Sequence, residues 1–191
     1  MATVSCAMSM SVDGYVTGPG ASREDPWGRG AEVLHHWIFN DPTPEDRAIL
    51  TELVDGCGAV IMGRTSFDKT EGDAGWGDEG PVGATPVFVV THNKPTKSYP
   101  DVYTFVTDGV VSAIEQAKAV AGDKTVGLHG TTIMQQALPL GLVDEIIVHL
   151  VPVLLGGGTK LFDLLDDTIT LERTSVTPTP QATHLRFRVV K

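Results

Sequence analysis

Two hydrophobic periods alternate along this chain, and their order constrains the fold more than any other feature. Short β-branched runs recur at 3–9, 59–62, 86–91, 102–106, 124–128, 145–152, 168–176 and 183–190, eight candidate strands in all. Between the earlier runs the period becomes helical. Val33, Leu34, Trp37 and Ile38 make one apolar face, and Ile49, Leu50, Leu53 and Val54 repeat the spacing. The second of these helices has a start signal: Thr43 can cap it, Pro44 suits its first turn, and Glu45 and Asp46 favour the positive end of its dipole. Val111, Ile114, Ala117 and Ala121 predict a third helix. Ile133, Met134, Ala137 and Leu138 predict a fourth, ending near Pro139 and Gly141. Parallel strands need a long crossover between them, so strands separated by helices are expected to run parallel, under helices on both faces. The last three strands have no comparable helix between them and are expected to be antiparallel. The expectation is one α/β domain over residues 1–191, built on a mixed sheet.

Composition narrows the partners. Lys and Arg number 14 against 24 Asp and Glu, a net charge of −10, which repels phosphate backbones and anionic lipid. No nucleic acid and no membrane surface is therefore expected as a partner. No stretch approaches the roughly 20 apolar residues that span a bilayer. The first residues lack a basic, apolar leader, and a cytoplasmic location is the expectation. The two cysteines, Cys6 and Cys57, lie far apart among apolar neighbours and read as buried free thiols, with a single disulfide as the alternative. The six histidines show no metal-ligand spacing, and no metal is expected.

Several glycine motifs compete for a ligand role. Gly75-Trp76-Gly77-Asp78-Glu79-Gly80 has dinucleotide-fingerprint spacing, but no strand runs into it and its carboxylates would face a pyrophosphate. It lies in a long glycine-rich loop, Gly72 to Gly83. Gly156-Gly157-Gly158-Thr159-Lys160 lacks the Gly-Lys pair of a Walker loop and reads as a turn or a phosphate site. Three strand ends are better placed. Val60-Ile61-Met62 runs into Gly63, Arg64, Thr65 and Ser66, which join helix-start amides to a fixed cation and two hydroxyls. Val126-Gly127-Leu128-His129 runs into Gly130, Thr131, Thr132 and Ile133, a second helix start. Val87 to Val90 ends at Thr91 and His92. The three ends can share a ligand only if their strands are neighbours, because ligands of such sheets bind beyond the carboxyl ends of parallel strands.

These segments carry a resemblance when taken with Ser9-Met10-Ser11-Val12-Asp13-Gly14-Tyr15-Val16, Gly141-Leu142-Val143-Asp144-Glu145 and Pro152-Val153-Leu154-Leu155-Gly156-Gly157-Gly158. Their order resembles the dihydrofolate reductase-like superfamily, and within it the reductase domain of the riboflavin-biosynthesis deaminase–reductase and its stand-alone bacterial relatives. The resemblance implies a three-layer α/β/α fold around an eight-stranded mixed sheet, NADPH as hydride donor, a small-molecule substrate and a homodimer. It assigns Gly63, Arg64, Thr65 and Ser66 to the adenosine-side phosphates and Thr91 and His92 to the 2′-phosphate. Gly130, Thr131, Thr132 and Ile133 fall at the pyrophosphate, and Val16, Thr17 and Gly18 beside the nicotinamide.

The implied reaction is reduction of 5-amino-6-(5-phosphoribosylamino)uracil. The alternatives are dihydrofolate reduction and NADPH binding without efficient turnover. The zinc motif of the deaminase half is absent from the sequence. Where the family carries consecutive glycines, this chain has His129-Gly130-Thr131. Asp13 is the acidic candidate for catalysis. Arg23, Arg29 and Arg47 are candidates for a substrate phosphate, and Trp76 or Trp37 for stacking on a heterocycle. The carboxylate that a folate site needs before the Met-Gly-Arg strand maps near Arg47, with Asp46 adjacent and Glu52 beyond; Asp46 also reads simply as a first-turn dipole residue.

Overall fold

The computed structural model describes residues 2–70, 76 and 79–191. In chain order the elements are β1 (Val4–Ser11), β2 (Tyr15–Thr17), a 3-10 turn (Glu32–His35), α1 (His36–Phe39), α2 (Pro44–Asp55), β3 (Cys57–Gly63), α3 (Arg64–Lys69), β4 (Pro81–Ala84), β5 (Val87–Val90), β6 (Tyr103–Val106), α4 (Gly109–Ala121), β7 (Thr125–His129), α5 (Thr131–Ala137), β8 (Glu145–Val151), β9 (Thr159–Lys160), β10 (Leu171–Pro178) and β11 (Thr183–Val189). All eight expected strands are present and form one mixed sheet in the order β10-β11-β8-β1-β7-β3-β5-β6. Three further strands, β2, β4 and β9, escape a sequence reading because two to four residues are too few to show a period. Most of the Gly75–Gly80 motif lies outside the described residues.

The chain packs as two compact units, neither continuous in sequence. One comprises residues 1–6 and 56–144, the other 7–55 and 145–191, so β1 belongs to both. In the first unit β1 pairs with β7, β7 with β3, β3 with β5 and β5 with β6, every pair parallel. Strands so placed are covered on both faces, which is why β3 and β5 are nearly continuous apolar runs. Val60, Met62, Phe67, Val87 and Val89 form a core here, with Tyr99, Tyr103 and Phe105 edge-on or tilted around Phe67 and each other. On α4 the buried stripe is Val110, Ala113, Ile114, Ala117 and Ala121, while Val111 is 44% exposed. Ile114, Ala117 and Ala121 are buried as expected, and only the first position shifts: with two adjacent valines, the i, i+3, i+4, i+7 pattern closes from Val110. The α5 face is buried as its spacing predicts.

In the second unit β8 pairs with β11 and β11 with β10, both antiparallel, as the missing crossover helices require. Its core is Ala31, Leu34, Trp37, Val151 and Ala182, flanked by Ile38, Ile49 and Leu50. The first expected helix divides into the 3-10 turn and a single turn of α1, keeping the predicted buried positions Leu34 and Trp37. The start signal of α2 is fully used. Thr43 Oγ1 accepts the Asp46 amide at 3.1 Å, and Asp46 Oδ2 accepts the Thr43 amide at 2.9 Å, a reciprocal cap. Cys6 and Cys57 are both free thiols; Cys6 is buried, but Cys57 is only half-buried, its Sγ on the Ala59 carbonyl at 3.4 Å.

Candidate functional site

In the first unit, register brings the three candidate strand ends together. Gly63 lies opposite Val90, and Met62 opposite His129, so β5, β3 and β7 finish side by side at their carboxyl ends. That is the edge at which ligands of parallel sheets are held. Gly63 leads into Arg64, Thr65 and Ser66 of α3, and Gly130 into Thr131, Thr132 and Ile133 of α5, with no side-chain cap on either helix start among the described residues. Gly130 is needed for two reasons. Its φ of +95° disfavours any side chain, and a Cβ there would sit 2.8 Å from Ser66 Oγ. Gly63 has ordinary room, with a virtual Cβ 3.6 Å from Ile133.

The side chains at this edge divide by what they can offer. Ile133 is buried, so it presents only backbone. Arg64 is 37% exposed and donates from Nε to Asp68 Oδ1 at 2.6 Å, which fixes the guanidinium beside the strand end. His92 is exposed. Thr91 departs from the expectation of a ligand hydroxyl. Its Oγ1 donates to the Asn93 carbonyl at 3.0 Å and accepts the Asn93 amide at 3.4 Å, so it shapes the turn that carries His92. His129 packs edge-on against Trp76 at 4.9 Å, which places that tryptophan near the end of β7.

The second unit holds Asp13, Val16, Thr17 and Gly18. Asp13 Oδ1 accepts the Ser11 hydroxyl at 2.6 Å and the Leu155 amide at 3.1 Å, and Oδ2 accepts the Gly156 amide at 2.8 Å. The Ser11 hydroxyl first, then the Gly156 and Leu155 amides, outweigh desolvation and lower its pKa to about 2. At neutral pH this carboxylate is ionised, with both oxygens engaged by donors of its own unit. The glycine turn after Val153 is also redefined: its amides already hold an anion, the protein's own Asp13. Val16 is buried, Thr17 Oγ1 accepts the Thr159 amide at 3.2 Å, and the Gly18 amide donates to the Trp27 carbonyl at 2.8 Å. Trp27, which the sequence did not single out, stacks on His35 with ring centroids 4.9 Å apart. Trp37 is core, donating from Nε1 to Ser9 Oγ at 2.9 Å. Arg23, Arg29 and Arg47 are exposed.

A buried polar triad in this unit was not foreseen. Asp46 Oδ1 accepts from His184 Nε2 at 2.8 Å, and with neutral rings His184 Nδ1 then accepts from His149 Nδ1 at 2.7 Å. Burial opposes the charge on Asp46, but the Thr43 amide, His184 and the Thr43 hydroxyl together lower its pKa. Burial, then the neighbouring His184 and Arg186, push His149 down to about 3. In sequence these are two isolated histidines; only the register of β8 against β11 sets them opposite each other. Among the described residues no group of three or more His, Cys, Asp or Glu side chains has the arrangement of a metal site, and no helix is long and apolar enough to cross a membrane.

A mixed sheet of this order is a dihydrofolate reductase-like fold. The sequence profile of the RibD C-terminal domain matches residues 2–185, and the chain belongs to that family. Among curated proteins, none matches it. Of solved structures, a candidate riboflavin biosynthesis protein of Shewanella sp. PV-4 is 23% identical with a TM-score of 0.73, each chain covered in full. The Thermotoga maritima diaminohydroxyphosphoribosylaminopyrimidine deaminase/5-amino-6-(5-phosphoribosylamino)uracil reductase is 16% identical with a TM-score of 0.65; the match covers 99% of this chain but 57% of that one. Dihydrofolate reductase of Enterococcus faecalis, a complex with NADP(H), is 12% identical with a TM-score of 0.59, covering 99% and 97% of the two chains. At these identities the likeness establishes the fold.

Proposed function

We propose that this chain is an NADPH-dependent reductase that passes a hydride to a small nitrogen heterocycle, of the kind represented by 5-amino-6-(5-phosphoribosylamino)uracil. The observation that carries the reading is the alignment of the β5, β3 and β7 carboxyl ends, at Val90, Gly63 and His129. The residues there fit a dinucleotide. Gly130 lets the turn before α5 pass close to Ser66 of α3, and the start of α5 has no side-chain cap competing for its amides. Arg64 supplies a permanent charge and His92 an exposed imidazole, a pair suited to the 2′-phosphate that distinguishes NADPH from NADH. NADPH, when bound, supplies the hydride. Its holders in the first unit are the backbone from Thr131 to Ile133 for the pyrophosphate and Arg64 and Ser66 for the adenosine side; the resemblance assigns Val16–Gly18 to the nicotinamide. Asp13, held ionised, is not the source of the accompanying proton.

Of the two carboxylates weighed for folate, Glu52 pairs with Arg186 at 2.8 Å and Asp46 is occupied within the core. Both Asp46 oxygens are engaged, Oδ2 by Thr43 and Oδ1 by His184, and the side chain is fully buried. The test is a fluorescence titration with NADPH and NADH of the wild-type protein and Arg64→Ala. NADPH should bind at least tenfold more tightly than NADH, and Arg64→Ala should weaken NADPH by about tenfold or more, the worth of one charge-assisted hydrogen bond. No binding of either nucleotide overturns the reading.

A further inference from the structure

We infer that Asp13 is a positioning residue: its carboxylate clasps the Ser11–Gly14 turn to the Val153–Gly156 turn and thereby fixes the Val16–Gly18 segment. The inference rests on the reading above only in taking that segment as the nicotinamide side of the site.

The clasp is continuous. At its start Asp13 takes the Ser11 hydroxyl and the Leu155 and Gly156 amides, and the Val12 amide donates to the Val153 carbonyl at 2.9 Å. Ser11 Oγ in turn accepts the Tyr15 amide at 2.9 Å. The Leu161 amide donates to the Gly14 carbonyl at 3.0 Å, and β2 pairs with β9 through Tyr15 opposite Lys160 and Thr17 opposite Thr159. Beyond the clasp the chain is packed backbone against backbone. A Cβ on Gly158 would lie 1.8 Å from the Thr17 carbonyl oxygen, one on Gly18 2.3 Å from that of Arg29, and one on Gly28 2.4 Å from that of Gly18. Three loops thus meet where no side chain fits, and Val16–Gly18 lies among them. Two consecutive amides converging on one anion are the usual recipe for a ligand phosphate. Here the anion is covalently part of the loop being positioned, so the geometry is present before any ligand arrives, which is preorganisation of the site.

The test compares Asp13→Asn and Ser11→Ala with wild type. Asparagine keeps the shape but replaces one acceptor oxygen with an NH2 group, leaving one of the two turn amides facing a donor. Ser11→Ala removes the hydroxyl that donates to Asp13 and accepts the Tyr15 amide but keeps the carboxylate and both turn amides, so the question survives if the first variant folds poorly. Hydrogen exchange at Leu155, Gly156 and Gly18 should rise about tenfold or more in Asp13→Asn, and less in Ser11→Ala, with β7 amides unchanged. With NADPH and 5-amino-6-(5-phosphoribosylamino)uracil, the KM for NADPH should rise about tenfold, kcat should change little, and the pH profile should keep its shape. Unchanged exchange at Leu155 and Gly156 overturns the clasp. Altered exchange with unchanged KM makes it structural only and overturns the positioning role. A large loss in kcat with disappearance of one pH limb overturns it in favour of an acid. If wild type neither binds nor oxidises NADPH, the reductase reading fails while the exchange result still judges the clasp.

Discussion

Glycines in the two units press on different things. Gly130, at the parallel strand ends, stands against a side chain: its φ is +95°, and a Cβ there would lie 2.8 Å from Ser66 Oγ of α3. Gly18, Gly28 and Gly158, in the other unit, close space, each letting one backbone press on the carbonyl of another. The electrostatics differ in the same way. The candidate edge at Gly63 and Gly130 presents helix starts without side-chain caps, whereas the amides of Leu155 and Gly156 are occupied by Asp13. A glycine-rich turn can therefore hold a ligand or hold the protein to itself, and the partner of its amides decides which.

That contrast can be broken at single positions. Gly158→Ala should have the largest effect, because the new Cβ meets the Thr17 carbonyl at 1.8 Å and φ is +121°. A loss of roughly 3–5 kcal/mol in denaturant unfolding is expected from overlap and backbone strain together. A loss below about 1 kcal/mol would mean that the loops give way easily.

Acid should come next. His149 is depressed to about 3 in the folded state, below its unfolded value near 6.5. The unfolded chain then binds more protons between those limits, so stability present above pH 6.5 is lost as pH falls towards 3. The loss should be of the order of a few kcal/mol, and His149→Phe should flatten this part of the stability–pH curve. A wild-type curve that is already flat between pH 6.5 and 4 would show that the triad titrates differently.

Gly130→Ala should have the smallest effect on folding, about 1–3 kcal/mol for an alanine at φ +95° and ψ 146°. Its main effect belongs to binding, with NADPH affinity falling at least about tenfold as the new Cβ pushes Ser66 and the turn before α5 apart. Unaltered affinity would show that the dinucleotide is held elsewhere.

Legibility followed the range of the forces. The strands and helices were visible because periodicity is a local signal, and the Thr43–Asp46 cap because its partners are three residues apart. The strand-end segments Gly63–Ser66 and Gly130–Ile133 were visible as composition, but their adjacency was conditional on sheet order. Val111 misled because two neighbouring valines leave the phase of a helix ambiguous. For Thr91 the sequence left open whether a hydroxyl at a strand end faces a ligand or its own turn, and in the fold it bonds the Asn93 backbone.

The sequence by itself determined that strands alternate with helices and then do not, and so it determined a mixed α/β sheet with an antiparallel end. It also placed the glycines, the arginine and the hydroxyls on the turns that follow strands. Tertiary structure alone decided what those groups meet. Asp13 finds the Leu155 and Gly156 amides 142 and 143 residues away, and Asp46 finds His184 138 residues away. Those encounters give the Asp13 and Asp46 carboxylates fixed donors inside the fold. The physical reason is that a carboxylate's pKa and role are set by the donors around it, and donors this distant in sequence leave no local trace.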